Sequence, residues 1–252
     1  MNTTPHVAVI TGASQGIGEG LVAGYRKLGY AVVANSRTIG DSHDPMVLAV
    51  PGDIGQPGVG RRLVDAALER FGRVDTIVNN AGIFVAKPFT EYTDEDYDAV
   101  TGVNQRGFFE LTRAGIPAIE SHGEGGHVVT ISTSLVDHAN SQVPSVLASL
   151  TKGGLNAATK ALAVEYGSRG IRANAVALGI IRTPMHAPET HEFLSALHPI
   201  GHLGDIDDVV NAVLYLEQAG FVTGEILHVD GGYNIMGSPG RLLDAAKEMG
   251  AK

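Results

Sequence analysis

Residues 11–18, TGASQGIG, decide the fold. They follow an apolar, β-branched run, 6–11 (HVAVIT), that reads as a buried strand. They open a segment, 17–28, in which Leu21, Val22, Tyr25 and Leu28 recur at helical spacing. Gly29 then stops that helix. Gly12, Gly16 and Gly18 let the backbone turn sharply and approach an anion with no Cβ in the way. The helix behind them points its free N–H groups and positive dipole end at that anion. Between a first strand and a first helix, such a turn reads as the cradle of a dinucleotide pyrophosphate rather than as a plain glycine-rich connection.

Outward from this turn, apolar runs alternate with longer segments of helical period. Strands are expected at 31–35, 46–50, 76–78, 127–132, 171–177 and 225–229, and helices at 59–71, 145–168 and 205–218. A further helix runs from Asp94 to about Ala118 with a break near Asn104. This alternation implies an α/β fold: one Rossmann-type, doubly wound parallel sheet with helices on both faces, forming a single domain over 1–252. The stretch 36–53 is too short and too rich in Gly, Asp, Ser and Pro for a full crossover helix. Residues 183–204 hold three prolines and four histidines (His186, His191, His198, His202) and read as a substrate lid. A C-terminal tail spans 233–252, and its stretch after Tyr233 looks peripheral. Five acids in 91–98 (EYTDEDYD) read as a solvated helix start capped by Thr93, not as a metal site.

Composition excludes several classes. The 252 residues carry 18 Lys+Arg and 27 Asp+Glu, a formal charge of −9, which argues against a nucleic-acid partner. Cysteine is absent, so neither a disulfide framework nor a thiolate site is possible. No apolar run reaches about 18 residues, so no membrane span is expected. The first residues lack a signal-peptide pattern, which makes the cytoplasm the expected location. At 33 residues, glycine is in excess, consistent with many tight turns and close backbone approaches.

Further landmarks follow in order. NNAG stands at 79–82 after the fourth strand, Val103-Asn104 lies within a helix, and Lys152 precedes IRAN (171–174) by 19 positions. LGIIRT spans 178–183 and VDGG spans 229–232. Together with the glycine turn, these resemble the short-chain dehydrogenase/reductase superfamily in its compact branch. The resemblance implies a nicotinamide dinucleotide held by Gly12, Ser14, Gln15, Gly16, Ile17 and Gly18 around the pyrophosphate. Asp53 and Ile54 would lie at the adenine, and Asn80, Ala81 and Gly82 along the adenosine side. Lys152 would grip the nicotinamide ribose, with Gly179, Ile181 and Thr183 at the nicotinamide, Thr183 bonding its carboxamide. Leu178 replaces the family's usual proline there. Ser36 stands where NAD-type relatives carry an aspartate, and Arg37 follows it. A guanidinium beside neutral donors suits a 2′-phosphate, so NADP(H) is favoured over NAD, although Gln15 supplies no second basic residue in the glycine turn. Relatives of this size are mostly homotetramers.

The same resemblance implies a catalytic set of asparagine, serine, tyrosine and lysine. Asn104 and Lys152 are present. The serine position falls on Thr133 when counted along the strand, and on Ser134 when counted back from the helix. The tyrosine belongs four residues before the lysine, where this chain has Ala148, and no tyrosine lies between Tyr97 and Tyr166. A methyl there is expected to open space for water beside Lys152. Asp137, His138, Ser145, Ser149 and His186 are the residues weighed as substitutes for the phenol, with His138 favoured on pKa grounds. The expected function is an NADP(H)-dependent oxidoreductase of a carbonyl/alcohol pair with an atypical site. The alternatives are a non-catalytic dinucleotide-binding relative, or a reductase of quinones or activated C=C bonds protonated by solvent.

Overall fold

The computed structural model describes residues 4–140 and 143–236. Seven strands form one sheet in the order β3-β2-β1-β4-β5-β6-β7, every neighbouring pair parallel. They are β1 (Val7–Thr11), β2 (Ala31–Ser36), β3 (Val47–Pro51), β4 (Thr76–Asn79), β5 (Gly126–Thr133), β6 (Ile171–Leu178) and β7 (Ile226–Val229). Strands covered on both faces need apolar residues at every position, which is why β1 is buried throughout.

Alternation along each strand divides the interior into two cores. Val7 and Val9 of β1 pack with Leu63 and Val64 of α2 (Val59–Phe71) and with Leu111 and Ile119 of α4 (Gly107–Glu120). Ala163 of α5 (Val146–Tyr166) joins the same core. Ala8 and Ile10 face the opposite side, with Leu21 and Tyr25 of α1 (Gly16–Lys27) and Val209, Val213 and Leu216 of α7 (Ile206–Gln218).

The break expected near Asn104 is a π-helical turn, Gly102–Arg106, between α3 (Asp94–Thr101) and α4. The acidic run before it is a helix start: Asp96 N–H donates to Thr93 Oγ1 at 3.2 Å, and Thr93 N–H donates back to Asp96 Oδ2 at 3.0 Å. No helix links β2 to β3, as the short connection required. The sequence reading missed the short α6 (His191–Ser195) inside the lid segment. Tyr233, where the tail begins, is only 5% exposed, so the tail's first residue belongs to the interior; residues 237–252 lie outside the described residues. No described helix is long and apolar enough to cross a membrane.

Candidate active site

The sheet order reverses at β1, which sits between β2 and β4, and a parallel sheet binds ligands at the carboxyl ends of the strands beside such a switch. The glycine turn lies there. Gly12 and Gly16 adopt φ of +66° and +59°, in the left-handed region that suits glycine. A Cβ on Gly18 would overlap the Gly12 carbonyl, so the start of α1 and the turn are in direct backbone contact. The N-cap Gln15 makes no side-chain capping bond, which leaves the first N–H groups of α1 free of a side-chain acceptor. Asn80, expected along the adenosine, spends its amide on the turn itself: Nδ2 donates to the carbonyls of Thr11 at 2.8 Å and Gly12 at 3.2 Å. Thr11 Oγ1 in turn accepts from Ala81 N–H at 3.0 Å, tying the end of β4 to the end of β1. Ser14 and Gln15 are exposed on the turn, and Ile17 is half-buried behind it.

At the end of β2, Ser36 Oγ is buried with no hydrogen-bond partner, and Arg37 beside it is exposed, with no ion pair among the described residues. A buried hydroxyl without a partner marks a place where a ligand or water completes the structure. Asp53 Oδ1 accepts from Gly55 N–H at 2.9 Å, and Ile54 is buried against Gly107 of α4. Across the crevice, a Cβ on Gly16 would lie 3.7 Å from the Thr183 side chain, so Thr183 borders the glycine turn. Gly179 is hemmed in by Asp230 and His198, and Ile181 is buried. The uncapped helix start, the glycine cradle and the Ser36–Arg37 pair fit a dinucleotide.

The residues expected to act in the reaction converge beside this crevice. A Cβ on Gly82 would lie 3.1 Å from Lys152 Nζ and 3.4 Å from Asn104 Oδ1. The π turn presents Asn104 inward, where it is buried. Its Oδ1 accepts from Ile83 N–H at 3.0 Å, and its Nδ2 donates to the Ile83 carbonyl and to Thr151 Oγ1, each at 3.2 Å. Lys152 Nζ donates to the Ile131 carbonyl at 2.8 Å. The lysine side chain keeps some exposure while its ammonium sits deep, and desolvation draws its pKa down to about 8. Ala148, one turn earlier on α5, is 3% exposed, so its methyl is packed rather than facing an open space.

The two hydroxyl positions are separated. Thr133 ends β5 half-buried, accepting from Leu135 N–H at 3.3 Å. Ser134 is buried and donates to Asp230 Oδ2 at 2.7 Å, while Asp230 also caps Gly232 and Asn234 N–H. Ser149 Oγ donates to the Leu135 carbonyl, Asp137 accepts from His228 Nε2 at 3.0 Å, and the His138 ring packs edge-on to Tyr233. Ser145 is buried at the start of α5.

The lid segment closes on its own base: Arg182 N–H donates to the Gly204 carbonyl, and Gly204 N–H donates to the Ile180 carbonyl. Inside it, His198 is buried. Its Nδ1–H donates to the Leu194 carbonyl at 3.2 Å and its Nε2 accepts from Ile180 N–H at 3.0 Å, an arrangement of the neutral ring. Burial lowers its pKa accordingly. His186, His191 and His202 each bond a backbone carbonyl, so the four histidines serve the lid's own backbone. Sequence reasoning gave no role to His198 or Asp230. VDGG flagged the aspartate's neighbourhood, but nothing local signals that His198 reaches a residue 18 positions away.

Comparison with known proteins agrees with this geometry. A family model described as enoyl-(acyl carrier protein) reductase matches residues 12–234. The chain belongs to the short-chain dehydrogenase/reductase superfamily. It is 34% identical over 252 residues to a (2S)-[(R)-hydroxy(phenyl)methyl]succinyl-CoA dehydrogenase subunit of Thauera aromatica, covering 93% of this chain and 99% of that one. The crystal structure of 3-ketoacyl-(acyl-carrier-protein) reductase from Brucella melitensis complexed with NADH matches with a TM-score of 0.84 at 32% identity, covering 91% of this chain and 98% of that one. A blue fluorescent protein from a metagenomic library, in complex with NADPH, matches with a TM-score of 0.82 at 30% identity, covering 92% and 99%. As a member of this superfamily, the chain is an oxidoreductase.

Proposed function

We propose that this chain is an NADP(H)-dependent reductase of carbonyl compounds with an atypical proton route. The observation that carries the reading is the α1 cradle with Ser36 and Arg37 beside it: an anion site for two phosphates, then a free guanidinium and an unpartnered hydroxyl at the end of β2. Similarity to structures that hold NADH and NADPH supports the dinucleotide class. When bound, the reduced nicotinamide supplies a hydride to the substrate carbon.

The chain's own groups do the rest. The first-turn N–H groups of α1 hold the pyrophosphate, Arg37 and Ser36 the 2′-phosphate, and Thr183 and Ile181 the nicotinamide end. Thr133 holds the substrate oxygen by giving up its long 3.5 Å bond to the Leu178 carbonyl, whereas Ser134 is given to Asp230 at 2.7 Å. Asn104 keeps the loop after β4 against Lys152. Exposed Phe109 on α4 and Leu150 and Val164 on α5 support a tetramer joined through these two helices. The packed Ala148 favours, as a second reading, substrates such as quinones that need no strong acid.

Titration calorimetry with NADPH and NADH tests the proposal, followed by NADPH consumption with carbonyl and quinone panels. The expected result is binding of both carriers, NADPH about tenfold or more tighter, a difference of about 1.4 kcal/mol, with turnover of carbonyls. Heat from neither carrier would overturn the cofactor assignment, and turnover of quinones alone would move the function to the second reading.

A further inference from the structure

We infer that Lys152 is itself the acid of this site, delivering to the substrate oxygen the proton that a tyrosine would deliver from position 148. The inference rests on the reductase reading above.

Its first support is the count of donors. An ammonium has three N–H groups. One goes to the Ile131 carbonyl, and the other two have no protein partner among the described residues. The second support is position. Nζ lies against Gly82 at the crevice, one helical turn after Ala148 and on the same face of α5, the turn from which a phenol would have projected. The third is the commitment of the competitors. Ser134 is bound to Asp230, and Ser149 to the Leu135 carbonyl. Thr151 Oγ1 donates to the Leu147 carbonyl while accepting from Asn104. Asp137 is paired with His228, and His138 is packed against Tyr233.

What faces Lys152 also bears on its acidity. The groups placed beside it are the Ile131 carbonyl from β5, Gly82 from the loop after β4, and Asn104 from the π turn. None carries a charge, and Lys152 makes no ion pair among the described residues. With no anion to stabilise it, the ammonium is a stronger acid than a surface lysine, its pKa lowered to about 8 by desolvation. That places it near the operating pH, where an acid catalyst is most effective.

The step balances with a reduced nicotinamide dinucleotide as the reductant. As the carbonyl carbon gains hydride and its electron pair, one N–H bond of the ammonium breaks and an O–H bond forms on the substrate. The electron pair of that N–H stays on nitrogen as a neutral amine, which then regains a proton from water. Alcohol oxidation runs the same step backward and needs the neutral amine.

The first test needs no cofactor. Protein carrying 13C-labelled lysine is titrated by NMR, and the Lys152 signal is assigned by its loss in Lys152→Arg. A midpoint near 8 is expected; a midpoint near 10.5 overturns the inference. The second test measures single-turnover reduction of a reactive diketone by NADPH. Its rate should be flat below pH about 8 and fall about tenfold per pH unit above it. Lys152→Ala should lose about 100-fold or more, and primary alkylamines should restore activity in step with their own pKa values, a response that a ribose-binding role would not give. Retention of the wild-type rate in Lys152→Ala, or no amine rescue while calorimetry still shows NADPH bound, sinks the acid assignment alone. Absence of dinucleotide binding by the wild type sinks the reductase reading instead.

Discussion

Under the proposed function, Arg37 governs the choice of cofactor and Ala148 leaves the proton route to its neighbours. Arg37 is exposed and makes no ion pair among the described residues, so its charge suits a phosphate, and a charged hydrogen bond is worth about 1.5–3 kcal/mol. Arg37→Ala should therefore weaken NADPH by roughly 10- to 150-fold and leave NADH affinity within about twofold, as read by nicotinamide fluorescence titration. Equal loss for both carriers would mean that Arg37 supports the fold of the β2 end rather than the 2′-phosphate. Ala148 sits where a phenol would stand, and one general acid is worth about 10²–10⁴ in rate. With Lys152 already supplying the proton, Ala148→Tyr should leave carbonyl reduction at neutral pH within about tenfold, and because the methyl is packed, the larger ring carries an overpacking cost of about 1–3 kcal/mol. Steady-state kinetics with a parallel thermal melt separates the two effects. A gain of about 100-fold or more in a folded, NADPH-binding variant would show that the acid was missing and that Lys152 does not supply it.

At the scale of elements, what sequence made legible was whatever is local. The strands declared themselves as β-branched runs, and the edges of α2 follow directly from its helical period. The π turn announced itself as a break at Asn104, because a residue that must face inward out of register interrupts the apolar stripe. Contacts made across the chain were illegible. Whether Thr133 or Ser134 meets the substrate depends on Asp230, which lies 96 positions from Ser134. The segment 183–204, expected as a lid, is tied down through His198, whose two ring nitrogens join Leu194 to Ile180. Motif spacing carries no information on either. His198→Leu would roughly keep the side-chain volume and strand the Ile180 N–H, at about 1–3 kcal/mol for an unsatisfied buried donor. The expected outcome is faster hydrogen exchange across 183–204 and a raised KM for substrate, with NADPH affinity held within about twofold. Unaltered exchange would show that the backbone bonds to Gly204 hold the lid unaided.

The molecule divides its two sheet edges between tasks. The carboxyl edge keeps unpartnered groups, such as Ser36 Oγ and the spare donors of Lys152, whereas the amino edge satisfies its buried charges. Glu217, on α7, accepts from Tyr25, Tyr30, Thr76 and His127 at 2.8–3.0 Å, so one carboxylate joins α1, β4, β5 and α7. His127 can be neutral there, because its Nε2 accepts from Asn174 Nδ2 at 2.9 Å. Burial alone would raise the pKa of Glu217, but the hydrogen bonds from His127, Thr76 and Tyr25 outweigh it and hold the pKa at about 2, against 4.5 for the free side chain. The sign follows. A depressed carboxylate contributes stability that is fully present above about pH 4.5 and is lost as pH falls toward 2, because the unfolded chain takes up the proton first. Burial also lowers the pKa of His127, whose contribution fades in the same direction below its free value of 6.5. Glu217→Ala strands four donors and should cost about 3–5 kcal/mol, by analogy with a broken buried pair. Glu217→Gln keeps the volume and removes the titration. Urea unfolding from pH 6 to 3 should give a steep loss of stability in the wild type and a shallower one in Glu217→Gln, because the variant lacks one carboxylate that couples folding to proton uptake in that window, while His127, Asp75 and the other carboxylates of lowered pKa act in both proteins. Parallel curves would mean that the network binds a carboxyl group already protonated. The four-element tie would then rest on neutral hydrogen bonds, each worth about 1 kcal/mol, rather than on a charge held by them.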